Sequence, residues 1–129
     1  MADGVFEIDG DKFDDFAGFI REFNRAFVAH VGGQWNGNLD AFHDYLSWPS
    51  DPYTLRWRKS WKSRRDLGYE ATIVWYLKKI MDSSPPSKST WWEPLQAARK
   101  HQGPTLFDWL LESIAENSPQ ATLELDDGL

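Results

Sequence analysis

Phe13, Phe16, Ile20, Phe23 and Phe27 recur at alternating spacings of three and four residues. That period predicts an amphipathic helix from Asp11 to about residue 28. Before it, VFEI (5–8) reads as a short strand ended by Asp9 and Gly10, and after it residues 30–38, HVGGQWNGN, read as a glycine-rich loop. Asn38 is then placed to cap a helix from Leu39 to about Ser47, with Leu39, Phe42 and Leu46 as its buried stripe and Tyr45 alongside. WPSDP (48–52) ends that helix with two prolines.

The pattern changes period at YTLRWR (53–58), where Tyr53, Leu55 and Trp57 alternate with polar residues and predict a strand. Residues 69–81, YEATIVWYLKKIM, predict a largely buried helix. Residues 82–90, with four serines and two prolines, read as a loop or linker, and WWEPLQAARK (91–100) reads as a short helix. Thr105 with Asp108 three residues on forms an approximate capping box for LFDWLLESIAEN, whose core face is Phe107, Leu110, Leu111 and Ile114. ATLEL (121–125) closes as a strand before an acidic tail. Strands separated by helices predict an α/β fold, a three-stranded parallel sheet packed against helices. No internal repeat or second core is visible, and residues 1–129 read as a single domain.

With 129 residues, 41% of them hydrophobic and 16% aromatic, a packed core is feasible without covalent staples. Cysteine is absent, which excludes disulfides, thiol catalysis and thiolate-bound zinc. The opening MADGVFEIDG lacks the basic and apolar regions of a secretory signal, and no stretch approaches a membrane span. The expectation is a soluble, cytoplasmic protein. Net charge is −6, but Arg56, Arg58, Lys59, Lys62, Arg64 and Arg65 are concentrated within ten residues, which leaves the remainder of the chain at −12. Such an acidic body argues against nucleic acid as the main ligand and suits a basic partner.

Candidate chemistry gathers in WNGNLDAFHDYL (35–46), where Asp40 and Asp44 stand one turn apart on the same helical face. Like charges at that spacing cost a helix roughly 0.2–0.5 kcal/mol. The dipole at the helix start favours Asp40 but not Asp44, which lies beyond the first turn. Asp40, His43 and Asp44 could ligate a metal, the two carboxylates could act as an acid/base pair, or the face could simply be solvated. No nucleophile motif or second ligand cluster accompanies them, and the expectation is neither enzyme nor metalloprotein and no cofactor. RWRKSWKSRR (56–65) interleaves cations with aromatics as nucleic-acid patches do. The favoured reading is a strand with Trp57 inward and arginines outward, followed by a basic loop, without direct nucleic-acid binding. Trp91-Trp92 could anchor a partner or pin a loop.

Trp35-Asn36-Gly37-Asn38-Leu39-Asp40-Ala41-Phe42-His43-Asp44-Tyr45-Leu46 resembles the central loop and second helix of the barstar family, inhibitors of barnase-type extracellular ribonucleases. Residues 6–10 resemble that family's first strand and turn, 54–58 its second strand, and 111–113 with 121–125 its last helix and strand. The resemblance implies a barstar-like domain whose partner-binding residues are Trp35, Asn38, Asp40, His43, Asp44 and Glu112. Asp40 and Asp44 stand where the family's inhibitory aspartates stand, and Trp35 takes the place of a contacting tyrosine. Gly37 comes one residue late, His43 replaces a position often held by tryptophan, and residues 60–103 do not align. The implied function is an immunity protein of a bacterial toxin–antitoxin kind. It would block a guanyl-specific ribonuclease, its partner being a basic extracellular ribonuclease or a toxin nuclease domain. The alternative is an interaction module on the same fold that binds another basic protein.

Overall fold

The computed structural model describes residues 4–82 and 85–126, and of 85–89 the backbone alone. Strands β1 (Gly4–Asp9), β2 (Tyr53–Arg58) and β3 (Ala121–Asp126) form one parallel sheet in the order β1-β2-β3. Helices α1 (Phe16–Ala26) and α2 (Leu39–Leu46) make the first crossover, and α3 (Ser60–Asp66), α4 (Tyr69–Asp82), α5 (Pro85–Arg99) and α6 (Leu106–Glu116) make the second. This is the α/β fold with three parallel strands that the alternating pattern predicts. Among the described residues no helix is long and apolar enough to cross a membrane.

The register separates the two sheet faces. Ile8, Leu55 and Trp57 point into the core and are fully buried. Trp57 stacks on Phe19 at 5.2 Å, Phe19 on Phe23 at 5.6 Å, and Phe23 on Phe27 at 5.3 Å, so the phenylalanine stripe of α1 lies along the sheet. On the opposite face Glu7, Arg56 and Glu124 are register neighbours. Arg56 bridges both carboxylates, at 3.3 and 3.1 Å. Parallel sheets usually carry helices on both faces; here a row of alternating charge covers the second.

Four expectations need correction. The first long helix does not start at Asp11: residues 10–12 form a 3-10 turn, Phe13 is extended, and Asp15 caps α1 by accepting from the Gly18 amide at 2.8 Å. Phe13 fits the helical period only by coincidence. It folds back over Gly18, where a Cβ would lie 2.6 Å from Phe13 Cβ, and its ring packs on Phe19 at 5.4 Å. The segment after β2 is not a basic loop but helix α3, entered through Lys59 at a left-handed φ of 56°. That turn brings the Ser63 hydroxyl under the Trp57 indole N–H, which donates to it at 2.9 Å.

The helix at 69–81 forms as α4 but is not largely buried: only Thr72 and Tyr76 are, while Val74 and Met81 are exposed. Nor is 82–90 a linker, because α5 begins at Pro85; residues 83–84 lie outside the described ones, as do 127–129 of the acidic tail. Proline is at home in a first turn, whose amides need no intrahelical acceptor. The packing of α5 on α4, through Trp91 against Trp75 at 5.5 Å and buried Leu95 and Ala98, outweighs a weak local propensity. These residues and Tyr76 make a small second cluster, joined to the main core through Trp75 and Trp109.

Candidate functional site

Helix α2 presents its acidic face from a firmly braced start. The Asn38 side chain accepts from the Ala41 amide at 3.0 Å, as an N-cap should. The Asn38 carbonyl accepts both the Phe42 amide at 3.0 Å and the Trp35 indole N–H at 2.7 Å. Trp35 is itself clamped by Asn24 of α1, whose side chain accepts from the Trp35 amide at 2.7 Å and donates to the Trp35 carbonyl at 2.9 Å. Gly37 completes the loop at φ +99°, where an added Cβ would lie 2.6 Å from Ile20 Cδ1, so only glycine fits.

Trp35 therefore supports the site instead of facing a partner. Its side chain is 2% exposed and packed against the rings of Phe16, Phe19, Phe23 and Phe42. The indole fills the core, and its N–H finds a carbonyl there. Asn24 was invisible to the periodic reading, although a poor helix former inside a phenylalanine stripe is the signal that could have found it.

Asp40 and Asp44 are exposed on α2, and Phe42 and Leu46 are fully buried beneath them. Among the described residues neither aspartate has an ion-pair partner. The helix so holds two uncompensated carboxylates out to solvent. His43, between them in sequence, reaches across to α6, where its Nε2 lies 3.3 Å from Glu116 Oε1.

A cleft of about 370 Å³ opens where α2 meets α6. Asp40, His43 and Leu39 line it from α2, and Trp109, Glu112, Ser113 and Glu116 from α6. Trp75 of α4 and Trp91 of α5 complete its lining. The fold thus brings Asp40, His43 and Glu112 together, while Asp44 stands on the same helix outside the cleft. Sequence reasoning missed Glu116, Trp75 and Trp109, and weighed Trp91 only as one of a pair that anchors a partner or pins a loop. Glu116 follows Glu112 by one turn, the same like-charge spacing that singled out Asp40 and Asp44. Among the described residues no group of three or more histidine, cysteine, aspartate or glutamate side chains is arranged to hold a metal ion. A larger depression of about 740 Å³ at the amino ends of β1 and β2 gathers His30, Trp48, Asp51 and Tyr53, but just one carboxylate, and so lacks comparable charge.

The cations of residues 56–65 are largely engaged within the protein. Arg58 lies near Glu7 and Asp126, and Lys62 bonds Asp14 and Asp66. Arg64 sits over the Phe107 ring at 4.9 Å and Arg65 over Trp61 at 5.6 Å. This stretch ties the sheet and α3 to their surroundings.

The family model described as barstar (barnase inhibitor) matches residues 4–84. That span holds β1, α1, α2, β2, α3 and α4, and stops short of α5, α6 and β3. No curated protein and no solved structure matches the chain.

Proposed function

We propose that this chain, which belongs to the barstar (barnase inhibitor) family, inhibits a guanyl-specific, barnase-type ribonuclease by filling its active site with the acidic side chains of α2. The observation that carries the reading is the pair Asp40 and Asp44, exposed one turn apart on a braced helix without cationic partners among the described residues. An enzyme that cleaves RNA binds phosphate through a basic pocket. A carboxylate on a rigid helix occupies such a pocket as a phosphate would, without presenting a bond to cleave. The repulsion between Asp40 and Asp44 is then relieved by the nuclease's cations. Asp44 is the central group, Asp40 and Glu112 extend the acidic surface, His43 adjoins them, and Asn38 holds the helix start.

The overall charge of −6 supports the same partner, because a negative surface speeds its encounter with a basic protein. The role is that of an immunity protein in the cytoplasm, guarding against a secreted ribonuclease or a toxin's nuclease domain. A titration of barnase activity with the purified chain tests the reading. Loss of activity at a one-to-one ratio is expected, and undiminished cleavage at a large excess would overturn it.

A further inference from the structure

Helix α4 is buried along one line and bare along the opposite one. The residues it buries are Thr72 and Tyr76, one turn apart. The helical period turns Glu70, Val74, Leu77 and Met81 away from them, and all four are exposed. Val74 is 65% exposed, Leu77 37% and Met81 78%. Single apolar residues on a surface need no cover, but three in a row along one helix face make a stripe of the kind that marks a contact surface.

Charge marks what fits the stripe. Glu70 lies at its amino-terminal end and Lys78 beside its carboxy-terminal half, both exposed. Neither has an ion-pair partner among the described residues. Residues 69–99 hold four lysines and arginines against three carboxylates, a net charge of +1, which leaves −7 for the rest of the chain. Two copies therefore meet here without the repulsion that the acidic body would impose. A second α4 laid antiparallel sets Val74 against Leu77 of the other copy and brings each Glu70 within a turn of the other Lys78. A parallel copy would set Glu70 on Glu70 and Lys78 on Lys78.

We propose that the exposed face of α4 is the contact surface of a two-fold, antiparallel dimer of this chain. The two-fold axis makes every contact twice. Val74, Leu77 and Met81 supply the apolar packing, and the Glu70–Lys78 pairs fix direction and register more than they add affinity. One helix face is small beside the roughly 1,200–2,000 Å² of a stable interface, so the dimer forms at high protein concentration. The proposal goes beyond the inhibitor reading and does not rest on it, because Asp40 and Asp44 belong to α2.

Sedimentation equilibrium of the full chain, from about 10 µM to about 1 mM, reads the association. The weight-average mass should climb from the 15.0 kDa of one chain towards twice that value. Val74→Gln combined with Met81→Gln should hold it at the monomer, with Tm unchanged because both side chains are exposed. A chain that stays monomeric throughout would overturn the dimer and leave a partner of different sequence as the cover. Association that survives the double substitution would place the contact elsewhere and overturn the proposal equally.

Lys78→Glu tests the direction of the pairing. It should weaken association by about three- to tenfold, because two ion pairs become two repulsions. Adding Glu70→Lys to the same chain should restore the association, since the pairs re-form with their signs exchanged. A swap that restores nothing would overturn the antiparallel arrangement. None of these measurements involves a nuclease, so the inhibitor reading stands or falls separately.

Discussion

The indole N–H of Trp35 donates to the carbonyl of Asn38 at 2.7 Å, so a core side chain holds the residue that caps the acidic helix. This one bond joins the aromatic core to the display of Asp40 and Asp44. Trp35→Phe keeps an aromatic ring among Phe23 and Phe42 but removes the donor. The Asn38 carbonyl retains the Phe42 amide, so no buried acceptor is orphaned. The expected loss is about 2–3 kcal/mol, from the lost bond and the cavity left by the smaller ring, or about 10 °C in Tm. Thermal melts measure it, and hydrogen exchange should show the loss concentrated in the first turn of α2.

Asp44→Ala separates function from stability. If Asp44 fills a phosphate pocket, its removal should weaken inhibition by about 2–5 kcal/mol, mainly through faster dissociation. That range is taken over from charge pairs at protein interfaces that include barnase–barstar, the pair that gives this family its name. Stability should stay level or rise slightly, because repulsion with Asp40 disappears. Asp40→Ala should cost less inhibition and some stability, since Asp40 sits in the first turn where the dipole favours it. Equal inhibition by wild type and Asp44→Ala would end the phosphate-mimic account.

Lys62 is the most heavily engaged cation of the basic stretch. Its ammonium donates to the Gly10 and Phe13 carbonyls, to Asp14 at 2.9 Å and to Asp66 at 2.6 Å. Burial pulls its pKa down, but the bonds to Asp66 and Asp14 outweigh burial and leave it raised. The bond from Lys62 holds the exposed Asp14 carboxyl below its usual range. The Lys62 contribution is therefore full below about pH 10.4 and is lost as pH rises through its raised folded value. The Asp14 contribution is present above about pH 3.9 and is lost as pH falls through its lowered folded value. Lys62→Met should cost about 2 kcal/mol at neutral pH, chiefly by leaving the poorly exposed Asp66 with the more distant Arg65, 3.9 Å away. Urea unfolding across pH should show the difference from wild type shrinking at both extremes.

Thr72 couples the α4–α5 pair to α6. Its hydroxyl donates to the Gly68 carbonyl at 2.7 Å and accepts the Leu106 amide at 2.9 Å, in a buried setting. Thr72→Val keeps the shape and leaves that amide unpaired, at a cost of about 1–3 kcal/mol. Amide exchange at Leu106 should accelerate along with the fall in Tm. An unchanged Leu106 exchange rate would mean that the helix start has another acceptor.

RNA binding by residues 56–65 should be weak. The arginines of β2 are neutralised by register neighbours, Arg56 by Glu7 and Glu124 above all. Tight RNA binding, with a salt dependence that falls when Arg64 and Arg65 are neutralised, would contradict this.

Local rules account for the parts that were legible in the sequence. The strands at 53–58 and 121–125, the cap at Asn38 and the capping box of Thr105 and Asp108 all depend on neighbours within four residues or on alternation along one strand. The acidic pair was legible for the same reason, since one helical turn fixes its spacing. Where two structures share a pattern, the sequence misled. Phe13 kept the helical period from an extended segment, and the proline-rich residues after 84 carried a linker's composition inside a helix. Only tertiary packing decides such cases: Gly18 makes room for Phe13, and Trp75 meeting Trp91 holds α5 on α4. The cleft is the extreme example. Asp40, Trp75, Trp91 and Glu112 are scattered over more than seventy positions, and the packing of four helices, not any spacing along the chain, brings them to one cleft.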